Sequence, residues 1–214
     1  MISNADLERK YNEYYAKNPD KWGGITGAKR DSFAFEELRD VLAEPPQSLL
    51  DIGCGNGHTL AYFDRYWPDT KYFGLDLSHE ALEIARKRFP KASYLQGYIN
   101  EQQTFNMFHE MMDVVVCLGV MEHLEEIERD LRLMSTFLSA KGILYTEIPN
   151  NLEYPFSQKV EGFRELNGGS HQIEWHLFQQ TWEGKFLAAG FEIVRRIKGP
   201  MVQAEFCYIL RRKL

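Results

Sequence analysis

From Ser48 onward the chain alternates short, almost wholly apolar runs with longer stretches whose apolar residues recur every three or four positions. Apolar runs of that length suit strands covered on both faces, and the three-and-four spacing suits helices with one buried face. The pattern predicts strands over 48–52, 71–76, 92–95, 112–118 and 142–148, with helices over 58–67, 78–89 and 122–138. In the last helix Leu124, Ile127, Leu131, Met134 and Leu138 fall on one face. Ser78 is placed as an N-cap with Glu80 in the first turn, while Pro68 and Pro90 follow helix ends. Strand alternating with helix implies parallel strands joined by right-handed crossovers, an α/β sandwich.

Both ends depart from this rhythm. The first 45 residues predict two helices, 5–16 and 28–42, joined by the turn-rich segment 18–27. Residues 150–180 have no clean period and carry aromatics with Gly162, Gly168 and Gly169, so an irregular cover is expected there. A helix over 181–189 stops at Gly190, in a C-cap position. Strands over 191–197 and 203–210 close the chain around Gly199-Pro200, and their short connection makes them antiparallel. The expected sheet is therefore mostly parallel, with one antiparallel strand.

Composition narrows the functional classes. At 214 residues, 44% hydrophobic and 26% charged, the chain can bury a full core and is not compositionally disordered. Its longest run of apolar residues and glycine, Val114 to Met121, is far shorter than the roughly 18 residues a membrane span requires. A net charge of -6 repels nucleic acid, so no nucleic-acid or membrane partner is expected. Cys54, Cys117 and Cys207 are widely spaced, which argues against a disulfide framework or a cysteine zinc site and fits a reducing cytoplasm. The charged beginning lacks the apolar stretch of a signal peptide.

The chemistry concentrates in Leu49-Leu50-Asp51-Ile52-Gly53-Cys54-Gly55-Asn56-Gly57, a buried strand running into a glycine-rich turn and then a helix. Such a turn lets backbone approach a ligand closely. The dinucleotide pattern G-x-G-x-x-G is not met, because His58 holds the sixth position. Asp51 on the preceding strand suits a ligand bearing an ammonium or sulfonium rather than a pyrophosphate. Asp76 ends the second strand, in Gly74-Leu75-Asp76-Leu77-Ser78, where a carboxylate can accept both ribose hydroxyls of a nucleoside. The fourth strand, over 112–118, runs on into Gly119-Val120-Met121-Glu122-His123-Leu124.

Together these segments resemble class I S-adenosylmethionine-dependent methyltransferases, similar to the ubiquinone-type and small-molecule members. The closing Phe186-Leu187-Ala188-Ala189-Gly190-Phe191-Glu192-Ile193-Val194 resembles their last helix and sixth strand. The resemblance covers about Ser48 to Leu210. It implies a Rossmann-like three-layer sandwich with a seven-stranded sheet, an N-terminal helical extension and a lid insert. One domain is expected, with a helical cover over 1–45, a cofactor-binding core over 46–149, a lid over 150–180 and the last helix and strands over 181–214. S-adenosylmethionine is the implied cofactor. Gly53, Gly55, Asn56 and Gly57 would line its methionine part, Asp51 its amino group and Asp76 its ribose. Leu77, Tyr98, Ile99 and Leu118 would complete the cofactor site. The third motif departs from the family, since Gln96-Gly97-Tyr98-Ile99-Asn100 lacks the acid that usually follows the glycine.

The acceptor is expected to be a small molecule, methylated most readily on oxygen. The aromatic clamp used for planar amino groups is absent after the fourth strand, where Cys117-Leu118-Gly119-Val120 stands. A hydroxyl acceptor needs a base, and the candidates are His171 and His176 in the expected cover and His123 beyond the fourth strand. No metal site is expected, because the His-Glu-His spacing of 171–176 matches no standard ligand set. N-methylation of an aliphatic amine and a cofactor-binding regulator with a degraded active site are the alternatives.

Overall fold

The computed structural model describes residues 4–20, 25–124, 126–149, 162–165, 173–199 and 205–213. The chain groups into two compact units, Met1–Phe108 and His109–Leu214.

The first unit opens with helices α1 (Asn4–Lys17) and α2 (Ile25–Val41). Strand β1 (Ser48–Ile52) is buried at every position, as a strand covered on both faces must be. It pairs in parallel with β2 (Lys71–Asp76), which pairs in parallel with β3 (Ser93–Gln96). Helices α3 (His58–Phe63), α4 (His79–Arg88) and α5 (Gln102–Phe108) follow the three strands. Ser78 caps α4 as expected, its Oγ accepting from the Ala81 N–H at 3.1 Å, and Arg86, Lys87 and Arg88 complement the dipole at the other end.

Two elements of this unit differ from expectation. Helix α3 ends at Phe63 rather than 67, because the Arg65 and Tyr66 N–H groups bond back three residues to Tyr62 and Phe63 and tighten the last turn. Helix α5 was not foreseen; its seven residues are too few to display a period. An aromatic cluster holds α2 on the α3 region, with the Phe35 ring 4.3 Å from Tyr66 and 4.8 Å from Trp67.

The second unit contains β4 (Met112–Leu118), the 3₁₀ turn Met121–His123, α6 (Ile127–Phe137) and β5 (Leu138–Pro149). A short hairpin, β6 (Gly162–Glu165) with β7 (Ile173–His176), is followed by α7 (Gln179–Ala188), β8 (Phe191–Lys198) and β9 (Glu205–Arg212). The predicted helix over 122–138 is corrected at both ends. The 3₁₀ turn precedes it, and Leu138 already belongs to β5, which starts earlier than the expected 142. Ile127, Leu131 and Met134 are the buried face, while Leu124 and Leu138 lie outside the helix. The irregular cover expected over 150–180 is corrected within its described residues, since β6 and β7 form a separate two-stranded antiparallel sheet. Each of those strands has four residues, below the length at which alternation is legible. Ala189 caps α7, and Gly190 directly after it has φ 89, the left-handed turn past a helix end that glycine adopts most readily.

The main sheet has seven strands in the order β3-β2-β1-β4-β5-β9-β8. Strand β9 is antiparallel to both neighbours, while the β1–β2, β2–β3 and β4–β5 pairs are parallel. This is the mostly parallel, Rossmann-like sheet that the sequence predicts.

Candidate functional site

The glycine turn after β1 is built by backbone conformation. Gly53, Gly55 and Gly57 have φ values of 73, 50 and 75, all in the left-handed region that side chains disfavour. The turn is tied to the end of β2 by the N–H groups of Gly53 and Cys54, which donate to the Leu75 carbonyl at 2.7 and 3.1 Å. A Cβ on Gly55 would collide with the Tyr15 hydroxyl.

Asp76 stands at the carboxyl end of β2. Its Oδ2 accepts from the Gly55 N–H and its Oδ1 from the Ser78 N–H, each at 2.8 Å. The backbone thus orients the carboxylate, and each oxygen keeps a lone pair for another donor. Desolvation pushes Asp76 up to about 6, against the lowering pull of the Ser78, Gly55 and Leu77 N–H groups. Asp51 is 3% exposed and is also raised by burial, with the Arg30 guanidinium opposing and Asp31 and Asp76 reinforcing the rise. Burial likewise raises the Cys54 thiol, which argues against a nucleophilic role.

Helices α1 and α2 supply residues that the sequence did not single out. On α1, Asn12 accepts from the Ser78 hydroxyl at 2.8 Å, Glu8 accepts from the Gln96 amide at 3.1 Å, and Tyr15 is buried over Gly55. Glu8, Asn12 and Tyr15 follow the spacing i, i+4, i+7, so one face of α1 lies on this region. That spacing was the available signal, and the helix lacks an apolar stripe that would have drawn attention to it. On α2, buried Asp31 bonds the His58 ring at Nδ1, 2.6 Å away, and accepts from the Thr59 hydroxyl at 3.0 Å. The Arg30 guanidinium lies 3.4 Å from the opposite ring nitrogen, Nε2.

The remaining expected cofactor residues divide between the two units. Asn56 is 1% exposed and donates to the Pro19 carbonyl at 2.9 Å, which ties it to the chain before α2. Leu77 follows Asp76, and its carbonyl accepts from Gln96 at 3.3 Å. Beyond β3, Ile99 is buried, and burial with the Glu8 and Glu101 charges pushes the Tyr98 hydroxyl up to about 12. Asn100, at the position of the missing acid, is exposed, whereas Glu101 accepts from Gln103 at 2.7 Å. Leu118 ends β4 in the second unit and is buried.

The candidate bases are less defined. His123 closes the 3₁₀ turn, mostly buried, with Nε2 3.9 Å from a Glu122 oxygen. His176 ends β7, opposite Gly162, and His171 lies outside the described residues. Among the described residues no three His, Cys, Asp or Glu side chains are grouped to hold a metal. Among them, too, no helix is long and apolar enough to cross a membrane.

The first unit thus presents a left-handed glycine turn beside a strand-end carboxylate that the backbone orients. Residues 50–144 match the family model of a methyltransferase domain. The trans-aconitate 2-methyltransferase of Afipia carboxidovorans is 29% identical over 138 residues, 63% of this chain and 52% of that protein. The chain spans about half the length of the curated relatives it matches. Among solved structures, the 1,6-didemethyltoxoflavin-N1-methyltransferase of Burkholderia thailandensis superposes with TM-score 0.75 at 14% identity, covering 100% of this chain and 92% of its own. An S-adenosylmethionine-dependent methyltransferase of Clostridium acetobutylicum has TM-score 0.70 at 14% identity, with 96% and 99% covered. At such identities the structural likeness is one of fold.

Proposed function

We propose that this protein is an S-adenosylmethionine-dependent methyltransferase of small molecules, acting on oxygen, and that its whole chain works as one domain. The observation that supports this most is Asp76, whose two oxygens are aimed by the Gly55 and Ser78 N–H groups beside a turn of three left-handed glycines. Its remaining lone pairs fit two ribose hydroxyls. Asp51 and Arg30 offer opposite charges on neighbouring elements, complementary to the ammonium and carboxylate of a methionine head. Gly53, Gly55, Asn56 and Gly57 bring backbone to that head; Leu77, Tyr98 and Ile99 supply the apolar surroundings. When bound, S-adenosylmethionine supplies an electrophilic methyl on a sulfonium. The protein's part is to align an acceptor with it, which by positioning alone is worth roughly 7–11 kcal/mol. The three cysteines, buried and not joined in disulfides, fit a reducing compartment, so a cytoplasmic location belongs to the same reading.

Oxygen as the methylated atom is supported by the trans-aconitate relatives. The test is a panel of hydroxyl, carboxylate and amine acceptors with labelled methyl donor, read for labelled product and S-adenosylhomocysteine. Label transferred only to amines would move the reading to N-methylation. Cofactor binding without transfer to any acceptor would favour a regulator.

If a hydroxyl is methylated, one of His123, His171 and His176 serves as the base. Replacing that histidine by Ala should lower the rate roughly 10²–10⁴-fold with cofactor affinity nearly intact. Equal, mild losses at all three would indicate transfer without a base.

Asp76 makes cofactor affinity depend on pH. Hydroxyl acceptance is strongest for the ionised carboxylate, so S-adenosylhomocysteine affinity should fall as pH drops below about 6. Stability runs the other way. With a pKa raised on folding, Asp76 contributes stability that is fully present below about 4 and lost as pH rises through about 6. Calorimetric titrations from pH 5 to 8 check the first effect; affinity independent of pH would remove Asp76 from the ribose site.

A further inference from the structure

We propose that Glu147, near the carboxyl end of β5, recognises the methyl acceptor, and that the acceptor presents to it a hydrogen-bond donor, an ammonium or a hydroxyl. This rests on the methyltransferase reading and names the substrate class for it. Glu147 is 4% exposed, and its Oε2 is buried with no hydrogen-bond partner. No ion pair among the described residues answers it.

Strand register sets the face on which it lies. Thr146 is opposite Tyr208 of β9, whose hydroxyl donates to Glu183 of α7 at 2.9 Å and whose ring packs against Phe186. That row therefore faces α7. Side chains alternate along a strand, so Glu147 points to the other face, in a row with Leu118 of β4 and Cys207 of β9. Both of those neighbours are apolar and buried. The 3₁₀ turn packs against β5 and carries Glu122, a second buried carboxyl group, with His123 Nε2 3.9 Å from its oxygen.

A carboxylate buried among apolar side chains costs stability unless something pairs with it. Rules of packing broken in this way are kept at functional sites. The carboxyl end of a parallel strand is where α/β sheets take their ligands. A donor group on the acceptor would satisfy the unpartnered Oε2 of Glu147, whereas a polycarboxylate such as trans-aconitate brings mainly acceptor oxygens.

Thermal melting of the full chain with S-adenosylhomocysteine present tests this, with a short aliphatic diamine, a polyol and trans-aconitate as separate probes. The diamine or the polyol should raise the melting temperature of the wild type, and Glu147→Ala should need at least tenfold more of that probe for the same rise. The diamine and polyol arms distinguish ammonium from hydroxyl. Without any ligand, Glu147→Gln should melt no lower than the wild type, because Oε2 has no hydrogen bond to lose. The proposal is overturned if trans-aconitate alone stabilises the wild type, if every probe acts equally on wild type and Glu147→Ala, or if no probe acts. It is also overturned if ligand-free Glu147→Gln melts lower, as loss of a structural contact would require. Calorimetry with S-adenosylhomocysteine separates the two readings: failure to bind sinks the methyltransferase reading, while binding with indifference to Glu147 sinks this proposal alone.

Discussion

Asp76→Ala should weaken binding of S-adenosylhomocysteine by at least about 100-fold. Hydrogen bonds to a charged group contribute about 1.5–3 kcal/mol each, and two ribose hydroxyls would lose theirs. The variant also removes the acceptor for the Gly55 and Ser78 N–H groups, so the turn itself would lose its tether to β2. Asp76→Asn separates the two effects, since a side-chain amide keeps one acceptor oxygen for the backbone but presents an N–H₂ to the ribose. Calorimetry should show weak binding for both variants, with thermal unfolding shifted more by Ala than by Asn. Unchanged affinity in the Asn variant would exclude Asp76 as the ribose ligand.

Gly55→Val should abolish cofactor binding and lower the melting temperature. A left-handed backbone costs a side-chain-bearing residue roughly 1–2 kcal/mol, and a β-branched one more. At φ 50 the new side chain would also meet the Tyr15 hydroxyl. Pairing the change with Tyr15→Ala should relieve the collision but not the backbone strain, so stability should recover in part and binding should not. Circular dichroism and calorimetry check both results. A variant that binds normally would reduce the glycine turn to a structural connection.

Much of this was legible in the chain because it is local. The apolar run over 48–52, the strand-end Asp76, the Ser78 cap and the Gly190 stop each depend on a few neighbouring residues, and each has a composition that few other conformations tolerate. Alternation of strand and helix then restricts the sheet to parallel pairs, and the short connection at Gly199-Pro200 marks the antiparallel exception. The sequence was less informative where elements are short. Helix α5, β6, β7 and the start of β5 show no period long enough to read, and the 3₁₀ turn broke a spacing that otherwise continued into α6.

By itself, then, the sequence determined the sheet, the glycine turn and the carboxylate at its edge, since hydrophobic period and glycine's backbone freedom act within a few residues. Only the tertiary structure decided which side chains meet there from afar. Tyr15 over Gly55, Asn12 on Ser78, Asp31 on His58 and the unanswered Glu147 arise from helix docking and strand register. Those contacts join residues tens of positions apart, or depend on which face of a strand a residue takes, and a polar residue's type alone does not reveal its partner.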